Sequence, residues 1–192
     1  MNKARLEAFT DGVIAVIITI MVLEMKVPHG VELSALSPVL PVFLTYVLSF
    51  IYTGIYWSNH HHMFHAVHRV DGAVLWANLH LLFWLSLVPF VTGWMGENHF
   101  QATPVAAYGV VLLCAALSYT ILTRALLRIH EKDSLFARGL GGDRKGNLSL
   151  ALYVAAVALA FVQPLISCAI YVAVACIWIV PDRRFERLLA GK

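Results

Sequence analysis

From Leu148 to Val180 the chain runs without one charged side chain. At about 1.5 Å per residue an unbroken helix of that length would reach roughly 50 Å, whereas the hydrocarbon core of a bilayer is about 30 Å thick. Gln163 and Pro164 stand at the middle of the run, and a proline removes a backbone donor and commonly ends a helix. The stretch therefore predicts two short helices joined by a tight turn, at residues 147 to 163 and 164 to 181. Four earlier runs predict further spans at about 5 to 26, 38 to 65, 71 to 95 and 104 to 128. Composition agrees, with 60% hydrophobic and 13% charged residues where a soluble chain carries roughly 25% charged. The expected fold is an all-α membrane protein, with six transmembrane helices in a single domain covering residues 1 to 192.

Charge supports the count independently of length. With six spans, Lys3, Arg5, Arg69, Arg124, Arg128, Lys132, Arg138, Arg144, Lys145, Arg183, Arg184, Arg187 and Lys192 fall on one side, leaving only Lys26 opposite. The positive-inside rule makes that side, and both termini, cytoplasmic. An odd number of spans would destroy the asymmetry. Residues 129 to 146 then form a cytoplasmic linker; its "GLGG" follows no strand and lacks the GK[ST] ending of a phosphate loop. Glu7 and Asp11 spoil the basic region of a signal peptide and no A-x-A site follows, so the first helix is expected to be retained. Cys114, Cys168 and Cys176 lie in apolar runs without CxxC spacing and suggest neither disulfides nor a zinc site.

Three polar clusters interrupt the apolar text. In "RLEAFTDGVIAVIITIMVLEM", from Arg5, Glu7 and Asp11 are four apart and share a helix face, where like charges need partners. Lys3 can answer Glu7 at the same spacing. Asp11 either borders the helix N-terminus, where a carboxylate is favoured, or finds its partner on another helix. In "YWSNHHHMFHAVHRVDG", from Tyr56, the side chains of Trp57, His61, His65 and His68 recur on one helical stripe with Phe64 beside it. His61 and His65 have the spacing of a zinc pair, but no HExxH glutamate accompanies them. One or two histidines bonding Asp11 or Arg5 is the favoured reading, His62, His65 and His68 being interfacial. The third cluster, "VLWANLHLLFWLSLVPFVTG" from Val74, places Asn78, His80, Ser86 and Pro89 inside a span, with Asn78 at the level of Asp11.

Arg5, Phe9, Thr10 and Asp11 reproduce an RxxxF[ST]D signature at the start of the first helix. Together with "YWSNHHHMF" from Tyr56 and "VDGAVLWANLHLLFWLSLVPFVT" from Val70, they resemble the lysosomal potassium channel family, transmembrane protein 175, as a prokaryotic single-repeat member. The resemblance covers residues 5 to 93. It implies a homotetramer whose four first helices surround a central potassium-permeable pore. By the same analogy Val16 or Ile20 narrows the pore, Thr19 influences selectivity and Leu23 continues the wall. Arg5, Phe9, Thr10 and Asp11 would join helices through Trp57, His60, His61 and Asn78.

The residues alone do not locate the pore, since the first helix is apolar on every face except Thr19. A ring of branched apolar side chains is nonetheless able to gate by dewetting. The expected function is passive conduction of potassium, or weakly selective conduction of monovalent cations, with no enzymatic activity, cofactor, bound metal or nucleic-acid partner. The expected partners are further copies of the chain and the lipid bilayer, in a prokaryotic plasma membrane. The alternative is a proton-coupled or divalent-metal transporter built on the histidine cluster.

Overall fold

The computed structural model describes residues 2–130 and 144–179. Its helices are α1 (Lys3–Leu23), a short 3₁₀ helix (Leu33–Val39) leading into α2 (Leu40–His65), α3 (Gly72–Ser86), α4 (Val88–Glu97), α5 (Ala102–Ile129), α6 (Arg144–Leu159) and α7 (Pro164–Ile179). Four segments are long and apolar enough to cross a membrane: α1, the 3₁₀ helix with α2, α3 with α4, and α5. The predicted 129-to-146 linker lies largely outside the described residues, as do Lys132, Arg138, Arg183, Arg184, Arg187 and Lys192.

Two expectations are refined. The span predicted from 71 to 95 breaks at Leu87 into α3 and α4, with Pro89 in the first turn of α4. Pro89 cannot donate to the preceding turn, and hydroxyls attend the break: Ser86 Oγ donates to Phe83 O at 2.7 Å and Thr92 Oγ1 to Val88 O at 2.6 Å. The second concerns His68, which lies beyond the end of α2. Its place on the predicted helical stripe is lost, and its backbone N–H instead donates to His130 Nε2 at 3.2 Å.

The predicted terminal hairpin is present. Helix α6 ends at Leu159, the turn is closed by Gln163 N–H donating to Leu159 O at 2.8 Å, and α7 starts at Pro164. Ser167 Oγ then bonds Ala156 O at 2.7 Å, and Trp178 Nε1 donates to Ser149 Oγ at 2.8 Å, tying the two helices at both ends. Each is about 24 Å long at 1.5 Å per residue, from 16 residues.

α3 packs on α5, α5 on α6, and α2 on α4. The core between them holds Phe64, Met63, Leu112, Leu122 and Tyr108, all buried. Hydroxyls inside it are bonded. Ser49 Oγ meets Thr92 Oγ1 at 2.6 Å and Tyr108 Oη at 3.0 Å, and Tyr171 Oη donates to Val105 O at 3.0 Å. In a medium without water each such group needs an internal partner. At Gly96 α4 approaches α2 so closely that a Cβ would stand 2.6 Å from the Val42 Cα.

The start of α1, the α2–α3 loop, the end of α5 and the start of α6 meet at one end of the bundle. There Lys3 Nζ donates to Val67 O at 3.0 Å, Arg69 Nη2 to Ile129 O at 3.2 Å and Lys145 Nζ to Ile177 O at 3.4 Å. The opposite end carries Lys26, whose Nζ lies 2.7 Å from Glu97 Oε1. That hydrogen bond and the charge of Glu97 hold the exposed ammonium above its ordinary pKa.

Candidate functional site

Helix α1 is sorted into two faces. Leu6, Thr10, Ile14, Ile17 and Met21, spaced at helical periodicity, are buried against the rest of the chain. Arg5, Phe9, Gly12, Val16, Thr19, Ile20 and Leu23 face away and are exposed. Val16 is 54% exposed and Leu23 79%. The sequence could not make this division because both faces are apolar; it is set by which side meets α2, α3 and α4. The candidate constriction residues Val16, Ile20 and Leu23 thus share one bare stripe. Thr19 Oγ1 lies beside it and donates back to its own helix, 2.9 Å from Val16 O and 3.1 Å from Ala15 O. Its oxygen lone pairs remain free to face outward.

Beside this stripe lies a groove of about 1000 Å³, walled on one side by Phe9, Gly12, Val16 and Ile20 and on the other by Pro89, Phe90 and Trp94 of α4. Glu24 and Glu97 close its far end. The sequence singled out Pro89 in the third polar cluster and in the stretch carrying the family resemblance, but gave no role to Glu24 or Glu97. The groove itself has no sequence signal, because it exists only where α1 and α4 are brought side by side.

Two fastenings hold the first half of α1. Thr10, His60 and Asn78 are all buried. Asn78 Nδ2 donates to Thr10 Oγ1 at 2.9 Å, and its Oδ1 lies 2.9 Å from His60 Nε2, so one amide bridges α1 and α2 from α3. The His60 ring stacks on Phe64 with centroids 4.3 Å apart. On the exposed side, Trp57 Nε1 donates to Asp11 Oδ1 at 3.0 Å.

The structure therefore brings together Thr10, His60 and Asn78, and separately Asp11 and Trp57. The expected histidine partner of Asp11 is replaced by Trp57. His61 instead stacks between Trp57 and His65, with centroids 6.0 and 6.2 Å away. Nor does Asp11 cap the helix. Asn2 does, accepting from Ala4 N–H at 3.0 Å, because α1 begins at Lys3, two turns before Asp11. Lys3 answers Glu7 as expected, at 4.0 Å. Arg5 and Phe9 belong to neither fastening. They sit on the bare stripe four residues apart, in line with Gly12 and Val16. Among the described residues no three His, Cys, Asp or Glu side chains converge as a metal site would require.

Residues 5–89 match the family described as the endosomal/lysosomal potassium channel TMEM175. A potassium channel of Chryseobacterium sp. (strain P1-3) is 51% identical over 189 residues, spanning 98% of both chains. The chain belongs to the TMEM175 family. A crystal structure of a TMEM175 homologue from Chamaesiphon minutus, described as a lysosomal potassium-selective channel, superposes with a TM-score of 0.77 and 30% identity, over 94% of this chain and 97% of that one. The chicken endosomal/lysosomal proton channel TMEM175 is 31% identical over 80% of this chain, which spans only 34% of that longer protein. The relatives are channels and not enzymes, and this TMEM175-family chain is an integral membrane protein of the ion-channel class.

Proposed function

We propose that four copies of this chain assemble with their α1 helices around a central axis and passively conduct potassium, or monovalent cations with weak preference, through an apolar constriction. The observation that carries the reading is the sorting of α1: a fully membrane-length helix buries Thr10, Ile14, Ile17 and Met21 in its own subunit and leaves Val16, Ile20 and Leu23 bare. Lipid alone could cover an apolar stripe; what favours a ring of copies is that this face borders the large groove between α1 and α4, in a chain whose relatives are named as channels. In that ring Val16, Ile20 and Leu23 form the hydrophobic wall, and the outward lone pairs of Thr19 replace part of an ion's hydration shell. The groove between α1 and α4 receives the neighbouring subunit, and Arg5 and Phe9 make contacts between copies at its basic end. The names of the bacterial relatives support potassium as the permeant ion.

The gathering of Lys3, Arg5, Arg69, Arg124, Arg128, Arg144 and Lys145 at one end supports a cytoplasmic orientation of that end, with both termini inside and six spans in one domain. The membrane is then the plasma membrane of a prokaryotic cell.

The reading is tested with purified protein in liposomes loaded with potassium and a pH-sensitive dye, the oligomer mass being measured on the same sample. Potassium release down its gradient from a tetramer is expected. A tetramer that releases no potassium contradicts the reading, and a tetramer that moves only protons would assign this chain the activity named for the chicken relative.

A further inference from the structure

At the basic end of the bundle, on a face away from α1, a second groove of about 490 Å³ runs between α3 and α5. Its lining has small residues, Ala73, Ala77 and Ala125, between taller walls formed by Trp76, His80 and Ile121. Arg124 and Arg128, one helical turn apart on α5, stand over it and are both exposed. Trp76 is 75% exposed. We propose that this groove is a seat for an anionic phospholipid, its phosphate held by Arg124 and Arg128 and one acyl chain lying along the bare stripe of α5.

Three features on the structure carry this. The first is uncompensated charge: among the described residues, neither guanidinium has a carboxylate within ion-pair distance. Planar guanidinium groups match phosphate oxygens in bidentate geometry. The second is the shape of the stripe below them. Val110, Leu117 and Ile121 are exposed and continue the helical line of Arg124 and Arg128 away from the basic end. From Arg128 to Leu117 the line falls about 17 Å at 1.5 Å per residue, within the roughly 20 to 22 Å of one bilayer leaflet, a headgroup followed by an acyl chain. A free anion would use only the top of this track. The third is the placement of Trp76, an aromatic side chain at the level where indoles favour the membrane interface.

The remaining polar wall is already satisfied. Trp84 Nε1 donates to His80 Nε2 at 3.1 Å, and an indole nitrogen only donates, so the ring proton of His80 sits on Nδ1. That Nδ1 lies 3.0 Å from Ser118 Oγ, which itself donates to Cys114 O at 2.7 Å. Both ring nitrogens of His80 are thereby engaged within the wall, and charge recognition falls to the two arginines. A second copy of the chain is a poor occupant. The described carboxylates of this end are engaged within their own subunit: Glu7 with Lys3 at 4.0 Å, Asp11 with Trp57 at 3.0 Å, and Asp71 accepting from Val74 N–H at 2.9 Å.

The test uses the full chain in detergent, titrated with phosphatidylglycerol or phosphatidylcholine of matched acyl chains and weighed by native mass spectrometry. Phosphatidylglycerol should be retained in preference to phosphatidylcholine, and the variant Arg124→Gln/Arg128→Gln should weaken its retention about 10- to 30-fold without changing the oligomer mass. Equal retention of the two lipids, or an unchanged double variant, overturns the proposal. So does displacement of the lipid by inorganic phosphate alone, which would mark a free-anion site, or a changed oligomer mass, which would mark an interface between copies. Should the double variant fail to fold, brominated phosphatidylglycerol in phosphatidylcholine vesicles is used with the wild type and with Trp76→Phe, a change on an exposed ring. A quenched fluorescence component present in the first and missing in the second is expected. Identical quenching of the two proteins refutes the site.

Discussion

Asn78 is the most consequential single side chain in the fastening of α1. Its substitution by alanine removes two hydrogen bonds at once, to Thr10 Oγ1 and His60 Nε2, each 2.9 Å long, and strands both partners where water does not reach. Hydrogen bonds between membrane helices contribute about 0.6 to 1.7 kcal/mol each. The double loss therefore destabilises the fold by about 1 to 3 kcal/mol, and the central value of about 2 kcal/mol is about a 30-fold shift in the unfolding equilibrium. Asp11→Asn is the contrast: it leaves an oxygen to accept from Trp57 Nε1 on an exposed surface, so its effect should stay within about 0.5 kcal/mol. The assay is reversible unfolding of the full chain in mixed micelles, followed by far-ultraviolet circular dichroism. Adding Thr10→Val to Asn78→Ala should cost less than the sum of the two single changes, because they share a bond, with a coupling of about 0.5 kcal/mol or more. Strict additivity, or an Asn78→Ala variant as stable as Asp11→Asn, would refute the bridging role.

Gly96→Ala places a Cβ against the Val42 Cα and Thr45 Oγ1, and since backbone cannot rotate away, α4 must shift from α2. A loss of about 1 to 3 kcal/mol in the same unfolding assay is expected. Ile20→Asn puts an amide on the bare stripe of α1; single-channel recording in symmetric potassium should show larger conductance and a reversal potential in mixed potassium and sodium moved toward zero. Thr19→Ala removes the outward oxygen while its helix keeps its backbone bonds, so the same recordings should show altered selectivity at unchanged stability.

How far the sequence revealed this depends on the kind of signal involved. Spans, the final hairpin and the one-sided gathering of basic residues were legible because bilayer thickness, the proline at position 164 and the positions of Lys and Arg act on the chain one segment at a time. The level of Asp11, His60 and Asn78 was legible for the same reason, from their distance to the ends of spans. Their pairing was not, because it depends on rotation of each helix about its axis. That rotation turned Trp57 to Asp11 and sent His60 inward to Asn78. The two faces of α1 were hidden behind uniform hydrophobicity, and only its neighbours distinguish Ile17 from Val16. The groove over Arg124 and Arg128 was invisible for the opposite reason: two arginines at a helix end are unremarkable until the alanines of α3 are seen to leave space beneath them.

The account rests on the bare stripe of α1 being the wall of the conduction path. In a background with Cys114, Cys168 and Cys176 replaced, single cysteines at Val16, Ile20 and Leu23, and at Ile14, Ile17 and Met21, are exposed to a charged thiol reagent while current is recorded. Block at the first three positions and none at the second three is the predicted result. Block at Ile14, Ile17 or Met21, or current untouched at every position, would contradict it.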